Sequence, residues 1–142
     1  MSNKRIEGQA EFLIALFDKA PIKHVYGMEL SYENGIARFD LPYNRNFDHA
    51  LDGIHGGAIA TLLDNAGWFT AALHYETWIA TVEFNVRLIA HAKEEALYSI
   101  GEVVHIGKRL AVCNMEVRTS EGDRLIATGS GTFVPTSVAI DE

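Results

Sequence analysis

The chain has 142 residues, of which 48% are apolar and 22% are charged. This balance is typical of one globular domain and excludes a disordered or fibrous chain. The 19 acidic and 12 basic side chains give a formal net charge of -7, which argues against binding to nucleic acid or to an anionic membrane surface, because both need clustered positive charge.

The hydrophobic pattern predicts a helix over residues 5–18, followed by strands over 23–32 and 36–41. Asn34-Gly35 separates these strands and predicts a tight hairpin, because both residues tolerate positive φ. After a loop from Pro42 to Ile54, the sequence predicts a helix over 56–74 that is buried on nearly all sides, because it has too few polar residues for a solvated face. Four further strands are predicted over 77–90, 95–106, 109–119 and 124–134, with tight turns at 107–109 and 120–123.

This order of elements predicts an α+β fold in which an antiparallel sheet wraps around one central helix. We expect a single domain over residues 1–142, with the N-terminal helix in 1–20 and the core in 21–135. Long strands leave a sheet edge to protect, which favours a homo-oligomer. The single cysteine, Cys113, cannot form an internal disulfide, and we recognise no secretory signal or membrane span, so we expect a cytoplasmic protein.

The candidate functional residues lie at the start of the central helix and in its first turns. His55-Gly56-Gly57 opens the helix, whose first N–H groups and dipole favour an anion or a developing oxyanion. Asp64 lies further along in an apolar run, where an acid usually has a partner or a function. Each feature also has a structural interpretation: a closely packed helix start, an acid bonded to Asn65, or a histidine that only holds the chain.

The spacing of these two groups constrains the mechanism. Gly56 and Asp64 are eight residues apart, which is roughly 12 Å along one helix. A donor and an acid that act on one carbonyl group must each lie about 3 Å from it. One chain does not meet both demands, but a second, antiparallel copy of the helix across a two-fold axis would. We therefore predict a catalytic dimer, or a dimer of dimers.

His55-Gly56-Gly57 followed by six residues and Asp64 resembles the PaaI-like acyl-CoA thioesterases of the hotdog fold. The resemblance extends from about Val25 to Val134 and includes the 82–86 strand and the 107–109 turn. It implies hydrolysis of an acyl-CoA thioester to a carboxylic acid and free CoA, without a cofactor. In this family the N–H of the first glycine, here Gly56, polarises the carbonyl, and the aspartate, here Asp64, acts from the opposing subunit as general base or nucleophile.

The resemblance also implies further roles. Thr81 would position water, Gly57 would line the substrate site, and Lys108 and Arg109 would meet the CoA phosphates. Where the family has an asparagine six residues before the histidine, this chain has His49, with Asn46 three residues earlier. His49 is able to donate a hydrogen bond in place of the asparagine. The family's proline and glycine are also missing from residues 90–94.

Three alternatives stay open at this point. A hotdog module could hold acyl-CoA without cleaving it, although such a binder gains nothing from Asp64. An enoyl-CoA hydratase would need an Asp/His arrangement that the sequence lacks. A metal site at His49, Asp52 and His55 has a spacing that matches no familiar ligand pattern. The acyl group is not specified, although Trp68 and Phe69 are candidate pocket walls.

Overall fold

The computed structural model describes residues 3–140, and the side chains of residues 7–140. Its helices are α1 (Asn3–Asp18), α2 (Pro21–Tyr26) and α3 (Gly56–Ala72), with a short 3-10 turn at Arg45–Phe47. Its strands are β1 (Glu29–Glu33), β2 (Ile36–Leu41), β3 (Thr77–Phe84), β4 (Arg87–Leu88), β5 (Leu97–Ile106), β6 (Ala111–Thr119) and β7 (Leu125–Ala139). The predicted single domain of 1–142 includes residues 1, 2, 141 and 142, which lie outside the described part of the chain, and it stays a prediction.

All seven strands belong to one antiparallel sheet in the order β1-β2-β5-β6-β7-β3, and β4 pairs with β7 beside β3. The sheet curves around α3, which contacts β2, β3, β5, β6 and β7. This is the predicted α+β hotdog arrangement, and the fold class is confirmed. Its physical basis is the long apolar helix, which needs several strands to cover it.

The predicted hairpin is confirmed by its backbone angles. Asn34 has a φ of 51° and Gly35 a φ of 75°, and β1 pairs with β2 directly on either side of them. Two successive residues at positive φ match the right-handed twist of the paired strands.

The predicted strand over 23–32 is wrong in its first half, where the chain forms α2. Pro21 stands at the first turn of this helix, where a missing N–H costs nothing. Gly27 ends it with a φ of 72°, and its N–H donates to the Lys23 carbonyl. The apolar residues of this segment suggested a strand, but the Pro and Gly at its two ends favour a short helix.

The predicted strand over 77–90 is interrupted. It ends as β3 at Phe84 and resumes as β4 at Arg87, because Asn85 turns toward β7 and bonds Ser130 with both its N–H and its side-chain oxygen. The last strand is longer than predicted and continues past Val134 to Ala139. The other predicted elements are confirmed to within about two residues at each end, the usual uncertainty of such boundaries.

The helix α3 is buried along most of its circumference but keeps one open stripe. At its tightest contact, a Cβ added to Gly101 of β5 would lie 2.3 Å from the Ala66 carbonyl oxygen, so only glycine allows β5 to cross so closely. The residues of α3 that stay partly exposed recur at helical spacing, as the pairs Gly56–Gly57, Ala60–Thr61 and Asp64–Asn65. Three of the four polar residues of the helix, Thr61, Asp64 and Asn65, therefore lie on the side that the sheet leaves uncovered, whereas Thr70 is buried.

Candidate active site

The start of α3 leaves one glycine amide free. The Nδ1 atom of His55 accepts a hydrogen bond from the Gly57 N–H at 2.8 Å, and the backbone N–H of His55 donates to the Phe47 carbonyl at 2.8 Å. Within residues 3–140, the Gly56 N–H has no acceptor. Of the two glycine amides, Gly56 is therefore the one available to a ligand, and His55 holds the turn that presents it.

Gly56 lies in a depression of about 200 Å³ that His49, Leu88 and Ile89 also line. The Nδ1 atom of His49 accepts from the Leu51 N–H at 3.1 Å. The other ring nitrogen, Nε2, packs against Gly53, where an added Cβ would be only 2.6 Å away. Because Nδ1 is an acceptor, a neutral His49 carries its proton on Nε2 and has a donor to offer in this depression.

Asp64 lies on the open stripe of α3 and is half-buried. The Thr81 hydroxyl donates to its Oδ1 at 2.9 Å, so the acid on the helix is tied to β3. Burial raises the pKa of the Asp64 carboxyl, and the Thr81 bond opposes part of that rise. Within the described residues Oδ2 has no hydrogen-bond partner. A carboxylate with raised basicity and one free oxygen is suited to act as a general base or as a nucleophile.

The pocket beside Asp64 is apolar and has a volume of about 430 Å³. Its walls come from α1, α2, α3 and β3. They are Phe17, Ala20, Ile22, Asp64, Asn65, Trp68, Phe69, Trp78, Ile79, Ala80 and Thr81. A pocket of this size, with apolar walls and a few polar groups, is the usual form of a small-molecule site.

Gly56 and Asp64 do not meet within one chain. They lie on one uninterrupted helix, eight residues apart, which is roughly 12 Å along its axis. The depression around Gly56 does not include Asp64, and the pocket around Asp64 does not include Gly56. The separation expected from the sequence is therefore present in the fold.

The other predicted residues lie in two further places. Asn46 lies in the 3-10 turn with its backbone N–H bonded to Asn44 Oδ1, and it shares a depression of about 360 Å³ with His55 and Gly57. Lys108 and Arg109 are exposed in the turn between β5 and β6. Within residues 7–140 neither side chain makes a hydrogen bond or an ion pair.

Two features of this site were missed at the sequence level. Trp78 and Ile22 both line the pocket beside Asp64, but one belongs to β3 and the other to α2. Alternation along β3 identifies Trp78 as a strand residue only, and α2 was predicted as a strand. Neither residue could be assigned to the pocket before the packing of α1 and α2 against β3 was known.

No helix in residues 3–140 combines the length and apolar character needed to cross a membrane. The same residues contain no group of three or more His, Cys, Asp or Glu side chains placed to hold a metal ion.

A sheet wrapped around a central helix, with an acid and a free amide on that helix, defines the chain as a hotdog-fold protein with a candidate active site. The model of the thioesterase superfamily matches residues 52–126, which include both groups, and the chain belongs to this superfamily. Membership supports thioester hydrolysis as the general class of reaction. No curated protein matches the sequence.

Solved structures show the same fold at low sequence identity. The PaaI protein from the phenylacetic acid degradation operon of E. coli is 15% identical, with a TM-score of 0.83 over 97% of this chain and 98% of that one. A thioesterase family protein from Silicibacter pomeroyi is 23% identical, with a TM-score of 0.81 over 96% and 98%. A thioesterase from Haemophilus influenzae is 17% identical, with a TM-score of 0.79 over 88% of both chains.

Proposed function

We propose that the protein hydrolyses an acyl-CoA thioester to a carboxylic acid and free CoA, at a site shared by two subunits. One observation carries the proposal. A free amide donor at Gly56 and a half-buried acid at Asp64 lie on one helix, at a separation too large for both to act on one carbonyl group within one chain. Superfamily membership supports the thioester as the reacting group.

In the proposed reaction, the thioester carbonyl oxygen accepts the Gly56 N–H at the positive end of the α3 dipole. Asp64 of the partner subunit takes a proton from water, whose oxygen forms a new bond to the carbonyl carbon. The C–S bond then breaks, and the proton passes to the departing CoA sulfur. Direct attack by the carboxylate, followed by hydrolysis of the anhydride, uses the same groups and remains the alternative course.

Two neighbours assist these groups. Thr81 fixes Oδ1 of Asp64, so that Oδ2 faces the reacting atoms. The protonated Nε2 of His49 supplies a second donor close to Gly56, in the place of the family's asparagine. The reaction consumes water and needs no cofactor.

The proposed dimer uses the free edge of the sheet. Strand β3 ends the strand order, so its outer backbone groups have no neighbouring strand in residues 3–140. Apolar side chains are exposed beside this edge: Val82 is 58% exposed, Leu88 58% and Ile89 54%. A second copy across the edge would cover these residues and bring two antiparallel α3 helices together.

Outside the catalytic groups, the proposal assigns the CoA phosphates to Lys108 and Arg109. Both cations are exposed and form no ion pair with residues 7–140, and an Arg fork suits a phosphate. Gly57 and Asn46 border the helix start, where the rest of the CoA would pass.

The direct test measures thiol release from a panel of acyl-CoAs with a colorimetric reagent. We expect turnover by the wild-type protein and its loss in Asp64→Asn. Tight binding of every acyl-CoA without thiol release would contradict the proposal and indicate a binding module.

A mixing experiment tests the shared site. Asp64→Asn and Gly56→Pro subunits are each expected to be inactive alone. After mixing, unfolding and refolding at equal amounts, random pairing gives heterodimers with one intact site, and about a quarter of the wild-type activity should return. Absence of recovery, in a mixture that size-exclusion chromatography shows to be dimeric, would contradict a site shared between subunits.

A further inference from the structure

The pocket beside Asp64 is lined by both tryptophans of the chain, Trp68 and Trp78. Trp68 lies one helical turn beyond Asp64 on α3, about 6 Å along the axis. Trp78 lies three residues before Thr81 on β3, about 10 Å along the strand. The two indole rings meet with their centroids 4.8 Å apart, so they form one continuous part of the pocket wall.

The two tryptophans of this wall differ in how firmly they are held and in how exposed they are. Trp68 is only 8% exposed, packs against Phe69 with centroids 4.7 Å apart, and donates its indole N–H to the Ile79 carbonyl at 2.9 Å. Trp78 is 43% exposed and rests on Trp68. Trp78 is therefore the half that can be trimmed without removing a buried hydrogen bond.

The remaining lining determines what kind of group fits. Among the described residues that line the pocket, only Asp64 carries a formal charge, and most of the surface is aromatic or aliphatic. An apolar ligand group loses little by leaving water for such a site, whereas a second carboxylate would be buried beside Asp64.

We infer that Trp68 and Trp78 limit the length of the acyl group, and that the substrate carries a compact, uncharged apolar acyl chain. This inference rests on the proposed function, because it places the thioester carbon next to Asp64. From that point an acyl chain runs about one turn of α3, roughly 5.4 Å, before it meets the indole of Trp68. A longer straight chain has to displace Trp78.

The test is a series of straight-chain acyl-CoAs: acetyl, butanoyl, hexanoyl, octanoyl, dodecanoyl and hexadecanoyl. For the wild type we expect kcat/KM to peak within the shorter members and to fall about tenfold or more at dodecanoyl-CoA, the scale of discrimination that pocket size supplies. In Trp78→Ala the ratio of dodecanoyl to hexanoyl kcat/KM should rise about tenfold. Trp78→Phe, which keeps a ring on the strand, should lie between the two.

The matched control is Val104→Ala. Val104 is an apolar strand residue, 57% exposed, that does not line this pocket. Its removal should leave the chain-length profile unchanged. A ratio that stays at the wild-type value in Trp78→Ala, while Trp78→Ala and Val104→Ala melt at similar temperatures, would overturn the inference.

A binding experiment separates this inference from the proposed reaction. Both tryptophans lie in the wall, so tryptophan fluorescence reports occupation of the pocket by uncleavable S-hexyl and S-dodecyl CoA thioethers. Preference for the hexyl compound that weakens in Trp78→Ala, without hydrolysis of any thioester, would uphold the length limit and refute the proposed function. Thiol release together with equal affinity for both thioethers would support the proposed function and refute the length limit. Binding of neither thioether, together with no hydrolysis, would refute both.

Discussion

The two ends of the proposed catalytic stretch of α3 differ in how they would obtain their reactivity. Around Gly56, a backbone N–H is free simply because it belongs to the first turn of a helix. Around Asp64, a carboxylate becomes more basic because apolar walls take it partly out of water. The donor at Gly56 therefore depends on local geometry, whereas the acid at Asp64 depends on tertiary packing. Substitutions of Gly56 and of Asp64 should therefore affect the protein in different ways.

The largest effect is expected at the acid. Asp64→Asn keeps the size of the side chain and an oxygen that accepts from Thr81, but it removes the base. We expect kcat to fall by about 10²–10⁴-fold, measured by thiol release on the best acyl-CoA of the panel. Calorimetry with an uncleavable thioether should show that binding persists. An unchanged rate would remove Asp64 from the mechanism.

The second-largest effect is expected at the free amide of Gly56. Gly56→Pro deletes the N–H at a position where proline suits a helix, and His55 before it has extended angles, φ -63° and ψ 136°, that tolerate a following proline. We expect a loss of about 10²–10³-fold in kcat, as for removal of one oxyanion donor.

Gly56→Ala is the control for that substitution, because it keeps the N–H. Its Cβ would lie 2.9 Å from Leu88 Cδ1, the end of a flexible and exposed side chain that is able to move. We expect a distinctly smaller loss than in Gly56→Pro. Equal losses in the two variants would indicate that space at Gly56 matters and the amide does not.

A smaller effect is expected at Thr81, which links the acid to β3. Its hydroxyl stabilises the charged carboxylate and so lowers the Asp64 pKa. In Thr81→Val that bond is lost, the pKa rises further, and the acid limb of the kcat/KM profile should move to higher pH. Thr81→Ser should restore the wild-type profile. A loss of activity at all pH values without a shift would assign Thr81 a purely steric role.

The smallest effect is on stability. Since burial raises the folded-state pKa of Asp64 above 3.8, the folded protein holds this proton more tightly than the unfolded chain. The free energy of unfolding therefore falls as pH rises from about 3.8 through the folded pKa. Asp64→Asn lacks this loss, so its Tm should exceed that of the wild type slightly at neutral pH and match it in acid. Differential scanning calorimetry at both pH values checks this. A lower Tm for Asp64→Asn than for the wild type at neutral pH would contradict the claim that burying the charged carboxylate destabilises the protein.

Local signals predicted most of the framework. Asn34-Gly35 predicted a turn that both φ angles confirm, and the polar-poor run after His55 predicted a central buried helix. These predictions succeed because turn and cap preferences are set within a few residues. The failure at α2 came from weighing its short apolar run above Pro21 and Gly27, which favour a helix. The interruption at Asn85 depends on its hydrogen bonds to Ser130, which is distant in the chain.

The sequence by itself determined the central helix, the two glycines that open it, the acid eight residues after Gly56 and the distance that keeps these groups apart, because a helix converts sequence spacing directly into length. The structure then shows that His55 occupies the Gly57 amide and leaves that of Gly56 free. Only the tertiary structure decided which side of α3 stays open, that Thr81 bonds Asp64, and that Trp68 and Trp78 close one pocket with Ile22. Those contacts join α2, α3 and β3, which are distant in the chain. They depend on how the curved sheet and the N-terminal helices cover one helix, which no local pattern encodes.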